Sequence, residues 1–263
     1  MKISLVEKDD KRNIIVFDVE KTEAAYVNTL RRLFMTEVPI LAVDEVEFKT
    51  NDSGLYDELV AHRLGLVPFT TDLKSYNLPA ECKCKGEGCA RCQLKMTLKA
   101  KGPGVVYSGD IKTKDPKVKP VFPKIPVLKL LENQSVEAEM TAVMGLGKNH
   151  AKWSPCLAYY KQLADIKIGS QPDNKENVAK GCPVKAFEVK NDKLVLTGEA
   201  IQCTMCGECS HLSADKITVT STDTFRVSVE SWGQLDPKDI VVKALEIYDA
   251  QLEEFSELVG KIK

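Results

Sequence analysis

Eight of the nine cysteines in this 263-residue chain lie in two groups whose spacing suits metal ligation. The first group lies in ECKCKGEGCARCQ and has the pattern C-x-C-x4-C-x2-C, formed by Cys82, Cys84, Cys89 and Cys92. Four thiolates on one short loop can close a tetrahedral zinc site, and Gly86 and Gly88 favour the tight turn that such a loop needs. Two disulfides within the loop are the alternative. In both cases the loop is closed, which predicts a structural site with no open position for catalysis.

The second group lies in AIQCTMCGECSHL, where Cys203, Cys206 and Cys209 follow one another at intervals of three. This run is similar to the ferredoxin motif C-x2-C-x2-C-x3-C-P, although Ser213 occupies the fourth position. Cys182, which precedes a proline, resembles the end of a first motif whose other cysteines are absent. The pattern predicts one [4Fe–4S] cluster held by these four cysteines, with a three-iron cluster or zinc as the alternatives. A thiol-redox C-x2-C pair leaves the other cysteines unexplained.

The charge balance limits the classes of partner. The chain has 37 basic and 38 acidic residues, a net charge of −1. A protein that binds nucleic acid by itself normally carries a basic excess, so we expect no direct contact with DNA or RNA. The amino terminus lacks the apolar core of a secretion signal, and no apolar run reaches the length of a membrane span. We therefore expect a cytoplasmic protein with no membrane partner.

Strand and helix patterns surround the cysteine groups. KISLVEK and NIIVFDVE predict a hairpin joined by the turn DDKR, and the next segment predicts a helix that begins after Thr22 and ends before Pro39. From about Ala42 to Ser170, short β-like runs alternate with proline and glycine. Near the carboxyl end, DKITVTS and TFRVSVES predict two strands that pair with each other.

The last element is a long helix with one apolar seam. Asp236 supplies its N-cap and Pro237 its first position. Apolar residues then recur with steps of four and three at Val241, Leu245, Tyr248, Leu252, Phe255 and Val259. Such a heptad seam predicts contact with a second chain in addition to packing within the helix's own domain.

These elements predict an α+β fold in which the two ends of the chain form one unit. Between these ends we predict a mainly-β insert domain of residues 42–170 that contains the 82–92 loop, and a ferredoxin-like cluster domain of residues 171–223.

Residues 28–69 carry a resemblance to a known family. NTLRR, EVPILAVDEVEF and DELVAHRLGLVPF, in this order, resemble the alpha-type assembly subunits of DNA-directed RNA polymerase. These include the bacterial alpha amino-terminal domain, the eukaryotic third-largest subunit and their archaeal counterpart. GLGKNHAKWSPCLAYY at 145–160 is typical of the archaeal and eukaryotic members. The ferredoxin-like insertion points to the archaeal members, and the similarity covers essentially the whole chain.

The resemblance implies a discontinuous dimerisation domain of residues 1–41 and 224–263, interrupted by the insert domain, with no catalytic site of its own. Archaeal members are expected to pair with the small subunit L through helices that correspond to residues 22–36 and 237–260. With small subunit N, the pair is expected to form the platform for the two large catalytic subunits. Arg31 and Arg32 match the family's double-arginine position, which implies a contact with a large subunit; a solvated helix face is the alternative. The cluster is then expected to be structural, and a single-cluster electron carrier or redox sensor is the alternative function.

Overall fold

The computed structural model describes residues 1–262, and this range contains five helices and twelve strands. The helices are α1 (Ala24–Thr36), α2 (Asp57–Gly65), α3 (Lys175–Gly181), α4 (Glu208–Leu212) and α5 (Pro237–Gly260). The strands are β1 (Lys2–Asp9), β2 (Ile14–Glu20), β3 (Ile40–Asn51), β4 (Gln93–Lys101), β5 (Gly104–Tyr107), β6 (Lys112–Thr113), β7 (Pro126–Leu130), β8 (Ser135–Gly145), β9 (Cys156–Ile168), β10 (Phe187–Lys190), β11 (Lys193–Leu196) and β12 (Ile217–Ser231). Among the described helices, none is long and apolar enough to cross a membrane.

The chain divides into two compact units, each built from separate stretches of sequence. The first unit comprises residues 1–6, 16–28 and 159–228. The second comprises residues 7–15 and 29–158 and the chain from Val229 onward. This mixture of helices and strands fits the α+β expectation. The three domain boundaries drawn from the sequence stay a prediction.

The first unit contains most of a sheet with the strand order β1-β2-β12-β9. Phe17 and Val19 on β2 and Phe225 and Val227 on β12 bury their side chains. Arg226 also forms a bidentate ion pair with Asp18, with both N–O distances at 2.8 Å. Strand β2 and strand β12 are therefore joined by side chains as well as by the sheet.

The second unit has its core in the sheet β3-β8-β4-β6. On β4 the side chains alternate strictly, with Leu94, Met96 and Leu98 buried and the residues between them exposed. This is the period of two expected of a strand with one face on the core. Helix α2 packs against β3 and buries Val60 and Leu64.

One sequence prediction about local structure was wrong. DKITVTS and TFRVSVES do not pair with each other, because they form the single strand β12. The junction contains neither glycine nor proline, and Thr222 instead donates its hydroxyl to the carbonyl of Leu163 on β9. The polar stretch near residue 175 forms helix α3, which buries Val178.

Helix α5 begins as the sequence predicts. The Asp236 carboxylate accepts the backbone N–H of Lys238 at 2.8 Å, and Pro237 occupies the first turn. Ile240 and Ala244, in the first half of the helix, are fully buried. From Asp249 to the last described residue, every side chain is exposed.

Candidate functional site

The first cysteine group converges on one point. The Sγ atoms of Cys82 and Cys89 are 3.6 Å apart, those of Cys84 and Cys92 are 3.5 Å apart, and those of Cys92 and Cys89 are 3.8 Å apart. A tetrahedral zinc ion with Zn–S bonds of about 2.3 Å places its sulfurs about 3.8 Å apart, whereas a disulfide needs about 2.05 Å. All four thiols are free, and their sulfurs lie within 4.8 Å of one another. These four cysteines could hold a metal ion.

Tight turns bring the four thiols together. Lys85, Gly86 and Gly88 all have positive φ, the left-handed conformation that lets a loop turn tightly. The backbone N–H of Cys89 donates to the Sγ of Cys92 at 3.2 Å. Such N–H···S bonds orient a thiol that is to bind a metal.

The surroundings of these thiols shift their acidity in opposite directions. Hydrogen bonds from Cys92 and from the backbone of Gly88 lower the pKa of Cys84 to about 6. Burial raises the pKa of Cys92 to about 12. A divalent metal ion would replace the protons of the four thiols and would offset the negative charge of the resulting thiolates.

The second cysteine group lies in the first unit and lines one cavity. Cys182 follows helix α3, and Cys203, Cys206 and Cys209 lie on the loop that enters helix α4. All four line the cavity together with mainly apolar side chains, including Val184 and Phe187. Burial raises the pKa of Cys209, and negative charge on the sulfurs of Cys203, Cys206 and Cys182 raises it further. The four sulfurs are therefore close enough to interact electrostatically.

The sulfurs of the second group are spaced more widely than those of the first. Among residues 1–262, the 82–92 loop alone brings three or more ligand atoms within 4.8 Å of one another. The second group is therefore spaced more widely than one zinc ion requires. The backbone N–H of Ala186 donates to Cys182 Sγ at 3.3 Å, and that of Met205 donates to Cys203 Sγ at 3.4 Å. Hydrogen bonds of this kind to cysteine sulfur accompany iron–sulfur ligation and tune it. The residues present thus fit the predicted cluster.

Ser213, at the position of the missing fourth motif cysteine, has a structural role. Its side chain is 2% exposed, donates to the carbonyl of Ser210 and accepts the backbone N–H of Ile217. Its two hydrogen bonds therefore connect the end of α4 to the start of β12. His211 lies on the exposed side of α4.

The predicted partner-binding residues on α5 differ along the helix. Val241, Leu245 and Tyr248 are half-buried, whereas Leu252, Phe255 and Val259 are 47%, 66% and 47% exposed. Leu258 and Ile262 extend the exposed apolar surface to the end of the described chain, at 55% and 76%. The helix thus presents an apolar seam that is partly covered in its first half and exposed in its second half.

The double arginine lies within α1. Arg31 is half-buried and its guanidinium lies 3.6 Å from the Sδ of Met35, while Arg32 is exposed. Arg32 therefore offers a charged group at the surface, and the large-subunit contact of both residues stays a prediction.

The loop at 145–155 has an intramolecular role that its sequence pattern did not reveal. The indole N–H of Trp153 donates to the carbonyl of Val143 at 3.2 Å, and the Lys152 ammonium lies 4.3 Å from the indole ring centre. Lys152 also pairs with Asp44 at 2.7 Å. The ring lies where a side chain on Gly145 would have to be. The only sequence signal for this packing is Gly145, which leaves room for the ring of Trp153.

Comparison with known proteins now defines the class. A family model described as the RNA polymerase Rpb3/RpoA insert domain matches residues 46–155, which include most of the β3-β8-β4-β6 sheet and the first cysteine group. The chain is thus similar over this region to the alpha-type subunits of RNA polymerase.

Full-length relatives are more specific. Subunit Rpo3 of DNA-directed RNA polymerase from Methanosphaera stadtmanae is 36% identical, over 99% of each chain. Rpo3 of Archaeoglobus fulgidus is 38% identical, over 98% of this chain and 97% of the relative, and Rpo3 of Pyrococcus furiosus is 38% identical, over 100% and 98%. The chain therefore belongs to the archaeal RNA polymerase Rpo3 family, which confirms the family predicted from the motifs.

Proposed function

We propose that this protein is a non-catalytic assembly subunit of archaeal DNA-directed RNA polymerase. In this proposal it pairs with the small subunit L and, together with subunit N, forms the platform for the two large catalytic subunits. The observation that carries the proposal is the exposed apolar seam on α5, in a chain whose full-length relatives are polymerase subunits. A monomer would leave this seam in water.

The size of the seam supports a stable partner. Complete burial of a large apolar side chain contributes about 1.5–3 kcal/mol, and Phe255 is 66% exposed, so its burial by a partner is worth about 1–2 kcal/mol. Leu252, Leu258, Val259 and Ile262 add contributions of similar size. Acidic residues cover the other side of this half-helix, which supports the apolar side as the contact surface.

The pairing test replaces seam residues and one matched neighbour. We expect wild type co-expressed with subunit L to elute as a heterodimer in size-exclusion chromatography with light scattering. Phe255→Ser and Leu252→Ser should each weaken the pair about tenfold, since 1.4 kcal/mol is a factor of ten in Kd. Glu253→Ser, on the same exposed turn but outside the seam, is the control and should pair normally. A wild-type chain that does not bind subunit L would refute the proposal.

We also propose that the second cysteine group holds an iron–sulfur cluster in a structural role. The surrounding module has a small core formed by Val178, Ala186, Phe187, Leu194 and Ile217, with the thiol of Cys209 as part of it. A core of this size contributes little folding energy, so cluster ligation would supply much of it. Iron and sulfide analysis of anaerobically purified protein should find both, and Cys203→Ser/Cys206→Ser should lose both.

The same double variant separates two roles of the cluster in assembly. Pairing with subunit L but no recruitment of the large subunits would assign the cluster module to later assembly. Loss of subunit L as well would mean that the cluster is needed for the whole fold. Thr204→Ser, an exposed change in the same loop, is the control and should leave iron content and assembly unchanged.

For the first cysteine group we propose structural zinc. The near-tetrahedral sulfur spacing supports zinc over two disulfides. Metal analysis should find one zinc per chain, and Cys84→Ser should remove it. Two disulfides, detected by mass spectrometry of unreduced protein, would refute this proposal.

A further inference from the structure

The four cysteines of the second group are not equivalent. Cys203 and Cys209 are 9% and 8% exposed and Cys182 is half-buried, whereas Cys206 is exposed. Water and oxidants that reach this site therefore meet Cys206 first. Reactivity of cysteine sulfur follows such access.

Hydrogen bonds and burial hold three of the four thiols. Cys182 accepts the backbone N–H of Ala186 at 3.3 Å, and Cys203 accepts that of Met205 at 3.4 Å. N–H···S bonds of this kind stabilise a ligating thiolate. Cys209 is enclosed by the core of the module, whereas Cys206 is exposed, so Cys206 is the ligand held least firmly.

The backbone on either side of Cys206 is left-handed and open. Met205 and Gly207 have positive φ, at 54° and 80°. A β-carbon placed on Gly207 would meet no atom within 4 Å, and Met205 is 38% exposed. This corner of the loop therefore has room in which Cys206 can move.

We infer that Cys206 is the releasable ligand of the cluster, and that the iron it holds is the one lost on oxidation. This inference rests on the proposed cluster. A one-electron oxidant such as ferricyanide takes one electron from [4Fe–4S]2+ and becomes ferrocyanide. Fe2+ then leaves as its bonds to Cys206 and to three sulfides break, and [3Fe–4S]+ remains on Cys182, Cys203 and Cys209. The freed thiolate takes a proton from water.

The test uses the full-length holoprotein, purified without oxygen and treated with one equivalent of ferricyanide. We expect the EPR signal of an oxidised three-iron cluster, the loss of one Fe2+, and one newly alkylated thiol per cluster after exposure to iodoacetamide. Peptide mass spectrometry should place that label on Cys206. A label that falls mainly on Cys182, Cys203 or Cys209 would overturn the inference.

Two matched variants test the assignment independently. Cys206→Ala should retain a three-iron cluster with its EPR signal, whereas Cys209→Ala should lose iron and sulfide together. Equal loss in both variants would contradict the inference while leaving the proposed cluster intact. Wild-type protein that contains neither iron nor sulfide would instead refute the proposed cluster, and the inference with it.

Discussion

Replacing Gly145 with alanine should destabilise the protein, although a glycine-to-alanine change in a strand normally stabilises it by about 0.5–1 kcal/mol. Gly145 ends β8, and the indole of Trp153 packs directly on it. The β-carbon of an alanine would overlap the ring atoms Cδ2 and Cε2, so the ring has to move.

The cost follows from what the displaced indole loses. Its hydrogen bond to Val143 is worth about 1 kcal/mol, and its contact with the Lys152 ammonium about 0.5–1 kcal/mol. Packing of a half-buried indole adds about 1–2 kcal/mol. After the intrinsic gain from alanine is subtracted, we expect Gly145→Ala to lower the free energy of unfolding by about 2–3 kcal/mol. Urea denaturation followed by circular dichroism measures this change.

A double-mutant cycle separates the overlap from other effects of alanine. In a Trp153→Leu background the large ring is gone, so Gly145→Ala should become neutral or slightly stabilising. The sign of the effect therefore reverses between the two backgrounds. An equal loss of stability in both would refute the idea that the ring excludes a side chain at position 145.

Three further predictions concern metal, pH and a helix cap. Removing metal with a chelator should lower the melting temperature of wild type but not that of Cys84→Ser, measured by scanning calorimetry with zinc analysis; an equal drop in both would argue against zinc at the 82–92 loop. Hydrogen bonds from Lys117 and Ser75 hold the pKa of Asp72 well below its ordinary value. Its contribution to stability is therefore complete above about pH 4 and is lost as the pH falls towards the folded pKa, so the stability gap between wild type and Asp72→Asn should close in acid denaturation series. Asp236→Ala should cost about 1 kcal/mol through loss of the α5 cap, whereas Lys238→Ala, which keeps the backbone N–H, should cost much less in the same urea assay.

Local patterns in the sequence were sufficient for several elements. The cap at Asp236 and the heptad steps predicted α5 because both depend on neighbours within a few residues. The first cysteine group was also predictable as a site, since eleven consecutive residues carry all four thiols and the glycines that turn the chain. Motifs read in order along the chain identified the family.

Only the tertiary structure decided the features that depend on distant residues. Cys182 joins Cys203, Cys206 and Cys209 because α3 and the β10–β11 hairpin return the chain to the same cavity, and the different burial of these thiols follows from that packing. The sequence could not show that β12 continues through residues 217–231, because strand continuity there depends on bonds to β9. Nor could it show where along α5 the seam becomes exposed, because the apolar residues have the same spacing in the buried and exposed halves.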